Sequence, residues 1–73
     1  MKHFLKLTDW KWVEGSQTEM MYQDNNVEWF VGKPRSVVIG QTYVVEISEG
    51  KAMSDGYRHI VKFEGTIQTK GSP

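Results

Sequence analysis

The side chains able to do covalent or metal chemistry are few. The chain has no cysteine and two histidines, His3 at the start and His59 in the second half. A nucleophilic enzyme needs a nucleophile, a base and an orienting group converging at hydrogen-bond distance. His3 lies at the terminus, and His59 alternates with Tyr57, Val61 and Phe63, which assigns it a structural place on a strand face. Two distant histidines cannot complete a nitrogen or sulfur metal site without carboxylates. Asp24-Asn25-Asn26 lacks the alternating ligands and terminal Glu of a calcium loop, and reads as a turn or cap. Gly32-Lys33 has no upstream glycine at Walker spacing and runs into Pro34, so it is no phosphate loop. Paired carboxylates for glycoside hydrolysis would have to converge in space, and 73 residues leave little material for a concave, well-supported substrate site. The expectation is a protein that is not an enzyme and takes no cofactor or metal.

The other available chemistry is recognition. In Trp10-Lys11-Trp12, a strand would turn both indoles one way and Lys11 the other. Trp is the residue most enriched in binding hot spots, although so small a core could also consume both rings. Gly32-Lys33-Pro34-Arg35-Ser36 is a basic turn stiffened by Pro34, able to present Lys33 or Arg35 to a carboxylate or phosphate at low entropic cost. The segment from Ser48 to Gly56 is long and carries Met53, an adaptable apolar contact when exposed. Glu14 and Glu19 belong to an acidic stretch, with Asp24 and Glu28, that holds no base between residues 14 and 28. The partner-binding residues expected are therefore Trp10, Trp12, Lys11, Glu14, Glu19, Lys33, Arg35 and Met53.

Nine basic and nine acidic residues cancel. That removes the electrostatic footprint of a protein held to nucleic acid mainly through phosphates. Basic residues flank the acidic stretch, as Lys2, Lys6 and Lys11 before it and Lys33 and Arg35 after it. An acidic face beside basic loops suits a charged protein surface better than a duplex. Absence of cysteine fits a reducing compartment. Lys6 and Asp9 interrupt the apolar N-terminal residues, so no secretory signal is read, and no run approaches a bilayer span. A cytoplasmic, soluble chain, monomeric when free, is expected.

These side chains must be positioned by one small domain, placed at residues 1–70 with a frayed tail at 71–73. A chain of this length buries about 60% of its unfolded surface and is marginal without staples. Aromatic rings, 12% of the residues, are the expected source of stability. Gly, Asn and Asp punctuate short β-branched and aromatic runs, the pattern of an all-β sandwich or barrel. Tyr43, Val45 and Ile47 alternate as a half-buried strand. Tyr57, His59, Val61 and Phe63 do the same, and Gly65 allows a bulge or bend before Ile67. Val37, Val38 and Ile39 read as a short buried run, and Val27, Trp29 and Val31 as a core-facing alternation.

Leu5 and Leu7 share one parity while Phe4, Trp10 and Trp12 share the other, so a bulge or break near Thr8-Asp9 is required. Ser16-Gln17-Thr18-Glu19 matches a capping box, leaving residues 17–24 open between a short helix and a strand. The fold expected is mainly β, a small barrel or rolled antiparallel sheet of five or six short strands, with room for one short helix near 17–24.

Residues 39–45, a variable loop, Tyr57 to Phe63, and Glu64-Gly65-Thr66-Ile67 resemble the strand and bend grammar of SH3-like barrels, which are favoured over OB-like ones. In size, neutrality, aromatic content and separate charge patches the chain is similar to small phage-encoded regulators that bind host RNA polymerase. Trp10, Trp12 and the stretch from Glu14 to Glu28 carry that resemblance. It implies a protein-binding regulator that alters transcription initiation or termination by occluding a surface. A single-stranded nucleic-acid-binding barrel, with Trp10, Trp12 or Tyr57 on bases and Lys33, Arg35 and Lys11 on phosphates, is the first alternative. A structural or assembly protein is the second.

Overall fold

The computed structural model describes residues 1–67. Residues 68–70 of the expected domain and the expected tail at 71–73 lie outside the described residues. Five strands form, β1 (Lys2–Trp12), β2 (Met20–Asp24), β3 (Glu28–Gly32), β4 (Thr42–Ile47) and β5 (Arg58–Ile67). They close into a barrel in the order β1-β2-β3-β5-β4, with β3 and β5 parallel and every other pair antiparallel. There is no helix among the described residues, so none is long and apolar enough to cross a membrane.

The interior is filled by Leu5, Leu7, Met20, Tyr22, Phe30, Tyr43, Val45, Ile47 and Ile60. β4 follows the expected alternation, with Tyr43, Val45 and Ile47 buried. Residues 17–24 make no helix. Ser16 Oγ accepts from the Thr18 amide at 3.1 Å, an ST-type turn in place of the capping box, and Gly15 turns the chain at φ 78°. Met20 and Tyr22 then stand two apart and both enter the interior. Period-2 burial of two large side chains outweighs a two-turn helix whose nucleation cost is poorly offset. The β2–β3 connection is the expected Asp24-Asn25-Asn26 turn. Both asparagines adopt positive φ, 52° and 61°, which Asn tolerates and a tight hairpin demands.

Several expected core positions face out. In β3 the interior takes Phe30, while Trp29 is half-buried and Val27, at the turn, is 79% exposed. In β5, Ile60 is buried and Val61 is 69% exposed. Register against β4 slips at Val61, between the Lys62–Glu46 and Ile60–Ile47 pairs, and again beside Gly65. Each slip inverts the face of every residue beyond it. Phe63 is half-buried against the core, and Val31 is buried but stands outside the interior cluster. Ile67 is exposed at the strand end. Val38 and Ile39 are also exposed, because residues 33–41 cross the barrel end as an irregular connection with only Val37 packed inward.

Candidate aromatic groove

The bulge expected near Thr8-Asp9 is present: Leu7 pairs with Asp24 and Asp9 with Gln23, leaving Thr8 extra. Thr8 Oγ1 accepts from the Asn26 amide at 2.8 Å, which fixes the kink against the β2–β3 turn. Beyond it, Trp10 pairs with Tyr22 and Trp12 with Met20, so both indoles share the inward side of the sheet with core residues. Yet they remain 40% and 48% exposed, on the part of β1 beyond Lys6 that pairs with β2 but no longer with β4. The bulge rotates them inward and the length of the strand keeps them accessible.

Facing the indoles is the β3–β4 connection. Gly32 is buried, and the buried Tyr22 hydroxyl donates to the Lys33 carbonyl, tying the start of the connection to the core. Burial pushes the Tyr22 phenol up to about 12, against a smaller opposing pull from the Arg35 charge. Further along, the Val38 amide donates to Tyr43 Oη at 2.9 Å. Gly40 N–H donates to Leu7 O, and Leu7 N–H to Gln41 O. So anchored, residues 34–37 make one wall of an open groove of about 510 Å³, with Trp10, Trp12 and Met20 as the other.

Residues 33–35 form a ridge. On its far side lies a shallower groove of about 190 Å³, bounded by β5 residues Ile60, Val61, Lys62 and Phe63. Arg35 borders both, with its guanidinium 4.7 Å from the Phe63 ring centre. That cation–π contact steadies the guanidinium without consuming its charge.

Among the described residues, no carboxylate lines either groove. Elsewhere, Asp24 meets His3 at 2.7 Å, Asp55 meets His59 at 2.8 Å, and Glu64 lies 3.9 Å from Lys2. Glu46 meets the N-terminal amine. Glu28 takes a bidentate pair from Arg58 at 2.9 and 3.0 Å, and that hydrogen bonding lowers the Glu28 pKa and raises that of Arg58. The Tyr57 amide, ahead of His59, lowers the Asp55 pKa. Five acidic side chains thus have internal cationic or imidazole partners, while Lys33, Arg35 and Lys62 have no ion-pair partner among the described residues and gather around the ridge.

The structure divides the residues expected from sequence. Trp10, Trp12 and Arg35 share the larger groove, and Lys33 lies on the ridge beside it. Glu14 and Glu19 stand exposed in the β1–β2 connection, which begins just beyond Trp12. Lys11 points to the opposite face, its ammonium 4.8 Å from the Trp29 ring centre. Met53 is fully exposed on the β4–β5 loop and lines neither groove. Tyr57 borders a separate depression beside Trp29 and Lys51. His59 serves the expected structural role, its amide donating to Ser48 Oγ at 2.9 Å and its ring holding Asp55. Sequence reasoning missed Met20, Phe63 and Lys62. The Trp10-Lys11-Trp12 and Pro34 segments pointed toward this place, but Met20, Phe63 and Lys62 join them from β2 and β5 only in the closed barrel. No known protein family, characterised protein or solved structure matched the chain.

Proposed function

We propose that the protein is a non-enzymatic binding module that takes single-stranded nucleic acid in the groove between Trp10, Trp12 and Arg35. The observation that carries this reading is the combination, among the described residues, of two half-exposed indoles, three cations without an ion-pair partner and no lining carboxylate. Such a surface offers stacking to bases and charge to the backbone, the two components of sequence-tolerant single-strand binding. Zero net charge is compatible with it, because five of the nine acids are held by internal partners and, among the described residues, none lines a groove. Placement of β5 between β3 and β4 supports an OB-like over an SH3-like reading, and OB-like barrels commonly hold oligonucleotides. The groove lies against the β3–β4 connection and not on the β2–β3 face, so that analogy supports the ligand class and not the position.

Titration with short single-stranded DNA and RNA tests the proposal through quenching of tryptophan fluorescence. With three cations on phosphates, the logarithm of affinity should fall against the logarithm of salt with a slope of about −2. Duplex should compete poorly. No quenching at low salt rejects the reading.

Glu14 and Glu19 beside Trp12 favour a second reading, a regulator whose groove grips a protein, with host RNA polymerase the partner the sequence resemblance implies. Stoichiometric capture of that enzyme from nuclease-treated bacterial lysate, lost on Trp12→Ala, would select it over the first.

A further inference from the structure

Trp10 and Trp12 are two residues apart on one strand face, so their α-carbons stand about 6.4–6.8 Å apart. That is close to twice the stacking rise of about 3.4 Å between neighbouring bases. Among the described residues the two indoles are not stacked on each other or on any other ring. The aromatic contacts of the core and its edge, Tyr22 with Phe63 and Tyr43 with Phe63, do not involve them. Met20, the cross-strand partner of Trp12, lines the same groove, and Arg35 and Ser36 border it from across.

Resting on the single-strand reading above, we propose that Trp10 and Trp12 form a clamp that receives one unstacked base between their rings, with Arg35 and Ser36 meeting its polar edge or adjoining phosphate. The spacing admits one planar ring in contact with both indoles. It does not admit two. A cationic guest of the kind held by aromatic cages is disfavoured, because the wall carries Arg35 and, among the described residues, no carboxylate. A paired base would first have to leave its duplex, which restricts the clamp to single strands, loops and frayed ends.

A clamp and two independent stacking platforms predict different coupling. If both indoles hold one base, removing either releases most of the benefit, and removing the second adds little. If each holds its own base, the losses multiply. The experiment is anisotropy titration of a fluorescein-labelled ten-nucleotide thymidine strand against the full chain and its Trp10→Ala, Trp12→Ala and double variants, each checked for folding by circular dichroism. The expected result is about tenfold weaker binding for either single variant and less than about threefold further loss for the double. Trp12→Phe, which keeps a ring and guards against a packing defect, should stay within about threefold of the parent.

Multiplied losses in the double variant would overturn the clamp while leaving single-strand binding intact. Parent-like binding by the folded double variant would place the nucleic acid elsewhere and also overturn it. Failure of the parent chain to bind the strand at low salt would overturn the single-strand reading itself, as would displacement of a bound strand by an acidic amphipathic helical peptide alone and by no unlabelled oligonucleotide.

Discussion

Replacing Tyr22 by phenylalanine isolates one hydroxyl whose role can be read at two pH values. The ring is fully buried and its hydroxyl donates to the carbonyl of Lys33, at the start of the connection that carries Arg35. At pH 7 the substitution removes one hydrogen bond and leaves that carbonyl without its donor, a loss of about 1 kcal/mol. High pH reverses the sign. The folded phenol is raised from 10.0 to about 12, so between these values the unfolded chain gives up a proton that the folded chain retains. The unfolded state binds fewer protons there, and stability falls as pH rises. Across that window the loss due to Tyr22 is roughly 2–3 kcal/mol. The phenylalanine side chain cannot ionise in either state. The parent should therefore be the more stable at pH 7, match the Tyr22→Phe variant near pH 11, and be the less stable at pH 12. Urea unfolding followed by far-ultraviolet circular dichroism, expressed as the difference between the two chains, cancels the titration of lysines and the other tyrosines. A difference that stays constant from pH 8 to 12 would refute the claim that burial holds this phenol neutral, and a variant more stable at pH 7 would refute the anchoring role of its hydrogen bond.

Two further perturbations probe the barrel that holds the groove. Glu28→Gln should cost about 1 kcal/mol at neutral pH, since the part-buried bidentate pair with Arg58 becomes neutral on one side. Because the folded Glu28 pKa is depressed below 4.5, its contribution is present above that value and lost as pH falls through the folded pKa. Urea midpoints of parent and variant should converge in acid, and a gap that persists there would show that the effect is not ionic. Gly32→Ala would set a methyl 3.2 Å from Ile60 Cβ and 3.4 Å from Tyr22 Cε2. A loss of about 1–3 kcal/mol is expected from overpacking, and an unchanged urea midpoint would show that the core yields at this position.

Much of the frame is legible in the chain by itself. Turns at Gly15 and at Asn25-Asn26 follow from residues that accept positive φ. β4 is recognisable because Tyr43, Val45 and Ile47 make one wholly apolar face while Thr42, Val44 and Glu46 make a mixed one, so the wholly apolar face is the one buried. The conflict between Leu5 and Leu7 on one side and Trp10 and Trp12 on the other demanded a bulge between them, and the strand kinks there. Where apolar residues are adjacent, as at Trp29-Phe30 and Ile60-Val61, local alternation favours neither face. Tertiary register chose Phe30 and Ile60 for the interior, since a slip of one residue against a neighbouring strand exchanges the two sides of everything that follows. The capping box at Ser16 to Glu19 was a local preference that lost to burial of Met20 and Tyr22, a non-local gain that sequence pattern alone does not weigh. The groove was decided at the same level. Its indoles, its arginine ridge and Phe63 come from β1, the β3–β4 connection and β5, and such residues become neighbours only when the barrel closes.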